Sequence, residues 1–319
     1  MDIKAEIRKA RPNVRDSTIN KYAQGVRKLH QLAKGNHQVA SLDFLKDKSK
    51  ITELIEANYK PNTRANMFNV AVVALMTDKQ YKDLAEFYGE KRDHEHGIYE
   101  SLVRSNKKSQ KQEENWVSLA EIDKVLFNLQ EHYNEIYDIF LAERKLSRKQ
   151  YLKAQEYIVL AIHRQIPMRN DLANLQWAKK GSALLAFGNY IYYDDNPVRI
   201  LLKNYKTSGK YGTKEIEVED KVLSRQIKQF QKMNKYMEFK AIHTNSFLLN
   251  SKMEPMSSNG LTKLLTRIFT RDLDKKISSS MLRHIYLSEK YGKELEERKK
   301  DSHNMLHSLE QQKNYIKTD

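Results

Sequence analysis

Residues 104–115, Arg-Ser-Asn-Lys-Lys-Ser-Gln-Lys-Gln-Glu-Glu-Asn, carry no apolar side chain. A stretch that can bury nothing cannot cross a hydrophobic core. The 319 residues of the chain therefore have to build their apolar interior on either side of it. We expect a helical unit over residues 1–105, a linker at 106–115 and a second unit over 116–319. Only 10 glycines and 5 prolines punctuate the whole chain, which points to a mainly α fold.

Helical periodicity supports this on both sides. Asp16-Ser17-Thr18 offers N-cap oxygens, and Ile19, Tyr22, Val26 and Leu29 follow at helical spacing over 14–35. Pro61 opens a second clear helix with Met67, Val70, Val73 and Leu75 on its apolar side. Ser118 with Glu121 three residues later is a capping box for a helix over 119–141, followed by one over 147–165. The texture changes at 183–218. Ala183–Phe187, Asn189–Tyr193, Val198–Leu202 and Glu215–Val218 are rich in strand formers, with turns at Asp194–Pro197 and Thr207–Gly209. This predicts a small antiparallel sheet of about three strands inside a helical unit. Helices resume at 223–237, 259–269 and 280–291.

The charge balance narrows the partner. The chain holds 57 Lys+Arg against 41 Asp+Glu, a formal net charge of +16. Such an excess does not stabilise a fold, but it attracts polyanions, nucleic acid first and an anionic membrane surface second. It is spread over both units: residues 1–105 carry 19 basic against 14 acidic residues. No cysteine is present, which excludes disulfides, thiolate nucleophiles and cysteine zinc sites. The start has no apolar signal region, and no run of about 18 apolar residues suggests a membrane span.

Against that background a few side chains suggest phosphodiester chemistry. Arg169 and Asp171 lie in Pro167-Met168-Arg169-Asn170-Asp171, read as the start of an apolar helix, where a carboxylate can steady an arginine fork that clamps phosphate. An N-cap aspartate beside a surface arginine is the plainer reading. Lys206, in Tyr205-Lys206-Thr207-Ser208-Gly209-Lys210, sits at a hairpin tip where it could protonate a leaving oxygen, with Lys210 as rival. Arg283 is followed by His284, which we read as supporting or packing. His307 stands eight residues before Tyr315, and the charged run 290–301 before them could reach back over the site. A tyrosine can supply a nucleophilic oxygen, while arginine and histidine neutralise the pentacovalent phosphorane. Tyr286 and Tyr291 are the rival tyrosines, expected to pack into their helix face. Lys21, Arg27 and Arg64 are candidate DNA contacts in the first unit.

Arg169, Lys206, Arg283, His307 and Tyr315, in that order with the lysine on a hairpin, resemble the motifs of the tyrosine recombinase (phage integrase) family. The local forms Pro-Met-Arg-Asn-Asp, Tyr-Lys-Thr-Ser-Gly-Lys and Leu-His-Ser-Leu-Glu-Gln-Gln are similar to integrases of large eukaryotic DNA viruses, virophages and related mobile elements. The resemblance covers 116–319, and the first unit fits the family's core-binding domain. It departs at Ser280, where the family carries His or Lys three residues before the second arginine, and at Leu306, where glycine commonly precedes the histidine. The first motif is also one residue shorter than usual.

The resemblance implies an α+β catalytic domain that cuts and rejoins DNA strands through a 3′-phosphotyrosine on Tyr315. It implies no metal, no other cofactor and no ATP. Double-stranded DNA recombination sites would be the partner of a homo-oligomer, a tetramer on paired sites, with no membrane involved. An intracellular setting follows: a host nucleus, viral factory or virion, with viral genome integration as one use. Three alternatives stand beside it: a type IB topoisomerase, a catalytically impaired DNA-binding protein on the same fold, and a basic helical protein on anionic membranes.

Overall fold

The structure is a computed structural model that describes residues 1–181, 188–236, 245–305 and 312. The chain divides into two compact units, Met1–Lys108 and Ser109–Asp319.

The first unit contains five helices, α1 (Ile3–Ala10), α2 (Asp16–Lys34), α3 (Lys48–Asn58), α4 (Pro61–Leu75) and α5 (Lys82–Arg104). α2 buries Ile19, Ala23, Val26, Leu29, His30 and Ala33, three or four residues apart, and ends where Gly35 takes φ +78°. α4 is the central rod. Proline opens it, and all but one residue from Met67 to Leu75 is buried. Gly25 lets α2 approach it closely, because a Cβ there would sit 2.7 Å from a Val70 methyl. α5 is anchored by Tyr88, whose hydroxyl donates to the Leu45 carbonyl at 2.7 Å.

The second unit opens with α6 (Gln110–Glu114), inside the stretch expected to be linker. Lack of apolar residues keeps a segment out of the core but does not forbid a helix. Ser109 and Gln112 form a capping box. Lys275 Nζ donates to the Glu114 carbonyl at 2.8 Å, and the Lys276 amide to Asn115 Oδ1 at 2.7 Å, which fastens this turn to the unit.

α7 (Leu119–Glu143) begins at the Ser118–Glu121 capping box, and α8 (Arg148–Gln165) begins at a second such box, Ser147–Gln150. α8 is the spine of this unit, buried at Tyr151 and continuously from Ala154 to His163. Its polar side chains are satisfied internally. Gln155 exchanges two hydrogen bonds with the Leu249 backbone, at 2.9 and 2.8 Å. Tyr151 Oη accepts from Asn234 at 2.7 Å, and the Tyr157 hydroxyl donates to Gln226 at 2.6 Å.

After α8 comes a 3₁₀ turn, Asn170–Asn174, and then β1 (Leu175–Ala178), in place of the apolar helix expected there. Four residues such as Leu-Gln-Trp-Ala are too short to show a period of their own, and pairing with a neighbouring strand decides the matter. The sheet continues with β2 (Asn189–Tyr192), β3 (Arg199–Leu202), the short α9 (Ser208–Tyr211) and β4 (Lys214–Glu217), in spatial order β1-β2-β3-β4. The fold is mainly α with a small sheet, but the sheet is mixed: β1 runs parallel to β2, and the remaining pairs are antiparallel. The predicted strand 183–187 lies outside the described residues. The outer edge of β1 is covered by the 245–247 segment, which accepts from the Trp177 amide at 2.6 Å and donates to the Leu175 carbonyl at 2.9 Å. α10 (Lys221–Lys235), α11 (Ser258–Leu273) and α12 (Ser279–Asn304) complete the unit.

Candidate active site

Arg169 is the residue before the 3₁₀ turn and is exposed, and Asp171 is half-buried two residues on. Arg283 is half-buried in the second turn of α12, which packs against α8. Arg283 lies more than a hundred residues further along the chain, yet its charge and those of Arg169 and Asp171 act on one another. Burial lowers the Arg283 pKa, the nearby positive charge of Arg169 lowers it further, and Asp171 opposes both. Burial likewise raises the Asp171 carboxyl, against the pull of Arg169 and Arg283. Two guanidinium charges and one carboxylate within electrostatic reach, with Arg283 and Asp171 partly buried, make a cationic spot that favours a multiply charged oxyanion.

The β3–β4 connection reaches the same end of the sheet. β1 starts directly after the 3₁₀ turn, Leu175 pairs with Asn189, and Asn189 pairs with Leu202. The loop leaving β3 therefore emerges beside the start of β1. Buried Asn189 shapes it, donating to the Asn204 carbonyl at 2.9 Å and accepting from the Lys203 and Asn204 amides at 3.0 and 2.9 Å. The Tyr205 hydroxyl donates to the Gly212 carbonyl at 2.8 Å and closes the tip. Lys206 and Lys210 are exposed on it, with the Lys210 ammonium 5.3 Å from the Tyr211 ring centre.

Ser280 is exposed in the first turn of α12, and His284 is exposed beside Arg283. His307 and Tyr315 lie outside the described residues. The charged run 290–301 does not loop back over the arginines, because α12 is one continuous helix from Ser279 to Asn304. Glu and Lys are good helix formers, and nothing in the run breaks the ladder. At 1.5 Å per residue the helix carries the chain about 31 Å beyond Arg283 by Asn304. Gln312, which is buried, accepts from Arg298 Nε at 3.3 Å. Of the rival tyrosines, Tyr286 is half-buried but Tyr291 is 45% exposed rather than packed. Tyr88, Tyr133, Tyr151 and Tyr157 are buried with their pKa values pushed up, Tyr157 to about 12, which disqualifies them as nucleophiles.

Three features escaped the reading of the sequence. His163, on the last turn of α8, is fully enclosed. Its Nδ1 lies 2.8 Å from the Val159 carbonyl, so Nδ1 carries the proton, and its Nε2 has no hydrogen-bond partner. Burial first, and the charge of Arg283 as a lesser cause, push its pKa down to about 4. Asn170, between the two recognised residues, bonds to α11 and α12 at once: Nδ2 donates to the Ser258 carbonyl (3.0 Å) and Thr262 Oγ1 (2.7 Å), and Oδ1 accepts from the Ser279 hydroxyl.

The third feature is the outer face of α11. Thr262-Lys263, Thr266-Arg267 and Thr270-Arg271 recur every four residues and line a groove of about 500 Å³. Buried Glu156 of α8 holds the two arginines in place, at 3.1 Å to Arg267 and 2.8 Å to Arg271. The Thr-Lys/Arg repeat was the available sequence signal.

In the first unit Lys21 is exposed and Arg27 half-buried. Arg64 is occupied internally. It donates to the Tyr59 carbonyl at 2.7 Å and the Glu56 carbonyl at 2.7 Å, and meets buried Glu95 at 3.5 Å. It ties the C-terminal end of α3 to α4 and α5, which gives this candidate DNA contact a structural role.

Among the described residues no three His, Cys, Asp or Glu side chains gather as metal ligands would. No described helix is long and apolar enough to cross a membrane. The fold and site define a two-unit, mainly helical, strongly basic chain with Arg169 and Arg283 within electrostatic reach of each other. No family model, curated protein or solved structure matches it.

Proposed function

We propose that this chain is a DNA strand transferase of the tyrosine recombinase type. The observation that carries the reading is that the charges of Arg169, Asp171 and Arg283 act on one another, with Arg169 and Asp171 beside the end of the sheet from which the Lys206 loop emerges. Double-stranded DNA is the substrate that fits a chain of net charge +16 with Lys263, Arg267 and Arg271 along one groove of α11. In this reading Arg169 and Arg283 neutralise the non-bridging oxygens of the scissile phosphate. Tyr315 Oη attacks phosphorus and releases its phenolic proton to solvent, and the bond to the 5′-oxygen breaks as Lys206 gives that oxygen a proton. His307 donates to a non-bridging oxygen. The 5′-hydroxyl of a partner strand then attacks the phosphotyrosine and gives its proton to Lys206, while Tyr315 leaves and takes up a proton from solvent. The number of phosphodiester-type bonds is conserved, so no ATP is required. A homo-oligomer, a tetramer on paired sites, is part of the same proposal.

One observation favours a second reading, a DNA-binding protein without cleavage. α12 runs on to Asn304, well past Arg283, before His307 enters the chain. Incubation with a nicked suicide duplex, whose cleaved end diffuses away, separates the two. Strand transfer predicts a covalent adduct that maps to the Tyr315 peptide and disappears in Tyr315→Phe, with DNA binding retained. DNA binding with no adduct selects the second reading, and an adduct on Tyr286 or Tyr291 moves the nucleophile.

A further inference from the structure

The carboxamide of Asn170 is almost fully used. Both Nδ2 hydrogens point into α11, at the Ser258 carbonyl 3.0 Å away and Thr262 Oγ1 2.7 Å away, while Oδ1 receives the Ser279 hydroxyl. Its orientation is not arbitrary. The Ser258 carbonyl can only accept, so the nitrogen must face it and the oxygen must face Ser279. Ser279 is 5% exposed, and capping of α12 falls to its neighbour Ser278, whose side chain accepts from the Met281 amide. The Ser279 hydroxyl is thereby left for Asn170.

The positions of these two residues give the contact its meaning. Asn170 directly follows Arg169. Ser279 precedes Arg283 by four residues on the same helix, and so shares its face. One side-chain hydrogen bond thus joins the segment carrying the first arginine to the helix carrying the second, across 109 residues of sequence. The positive charges of the two arginines oppose each other, and Arg283 is partly buried.

We infer that Asn170 and Ser279 are positioning residues that fix the spacing of Arg169 and Arg283, so that both guanidiniums hold one tetrahedral oxyanion. This rests on the reading of the arginine pair as a phosphate clamp, but not on whether cleavage follows.

Sulfate titration of the full chain, read at the arginine Nε–H resonances, tests it. In the wild type Arg169 and Arg283 should shift together on one isotherm. Sulfate affinity should fall about tenfold in Asn170→Ala and roughly three- to fivefold in the milder Ser279→Ala, as hydrogen-bonded positioning is lost. In both variants the two resonances should follow separate curves. Ile285→Val trims a buried α12 side chain that makes no part of this tie. It should lower the melting temperature yet keep the single isotherm, which separates positioning from general loosening of the helix.

The inference is overturned if both folded variants keep one isotherm at wild-type affinity. It is overturned equally if the wild-type arginines never share one, or if Ile285→Val splits them as well. A joint isotherm in a protein that gives no adduct on nicked DNA leaves this inference standing and removes the cleavage reading.

Discussion

At the scale of single residues, burial decides what each group can do. His163 is enclosed, with its pKa pushed down to about 4. An unfolded histidine titrates near 6.5. Between these values the unfolded chain binds a proton that the folded chain refuses, so stability falls as pH drops from about 6.5 towards 4. The full difference is roughly 3 kcal/mol for a group this buried. Denaturant titrations at pH 7 and pH 4.5 should show that loss in the wild type, and His163→Gln should be markedly less sensitive over the same window. An equal loss in both would place the acid sensitivity elsewhere. Lys206 lies at the other extreme, exposed on its loop. If it protonates the leaving oxygen, Lys206→Ala should slow cleavage of ordinary DNA by roughly 10²–10⁴-fold. A 5′-thio leaving group, which needs no proton, should restore the rate. Rescue seen only in Lys210→Ala would transfer the role.

At the scale of elements, two sets of arginines that look alike in sequence serve opposite ends. Arg267 and Arg271 lie on the exposed face of α11, braced from below by Glu156. Arg64 is enclosed by the Glu56 and Tyr59 carbonyls and Glu95. Replacing Arg267 and Arg271 together by alanine should lower the slope of log affinity against log salt by about 2, one released counterion set per lost phosphate contact. Arg64→Ala should leave that slope unchanged. It should instead cost the first unit roughly 2–4 kcal/mol, because it strands a buried carboxylate and two carbonyls. Equilibrium unfolding and fluorescence anisotropy across a salt series separate the two outcomes. A changed salt slope in Arg64→Ala would restore it as a DNA contact.

At the scale of the whole molecule, the positive excess is shared by both units, 19 basic against 14 acidic residues over 1–105 and 38 against 27 over 106–319. A chain that grips DNA with both should lose affinity, and part of its salt dependence, when only Ser109–Asp319 is used. That boundary is where the contacts divide. Affinity of the fragment equal to that of the full chain at every salt concentration would end the two-unit grip.

Much of the fold was legible in the sequence because it is local. Caps such as Ser118–Glu121, the proline opening α4 and the spacing of Ile19, Val26 and Leu29 act within a turn or two, so neighbouring residues specify them. The strand formers between Asn189 and Val218 marked the sheet for the same reason. The parallel strand β1 was not legible, since Leu-Gln-Trp-Ala has no periodicity of its own and becomes a strand by pairing with β2 and the 245–247 segment. Nor was the length of α12: its charged run was expected to reach back over the site, and only the unbroken backbone ladder shows it as helix. In the candidate site, Arg169, Asp171 and Arg283 could be named from sequence, but not Asn170, Ser279 or His163. Nothing about an asparagine, a serine or a histidine in isolation announces a bond across 109 residues or an orphaned ring nitrogen. The sequence by itself determined the helical character, the two cores and the chemistry on offer. The tertiary structure alone decided which groups meet, because long-range proximity is set by how the cores pack and which polar groups lose water in doing so.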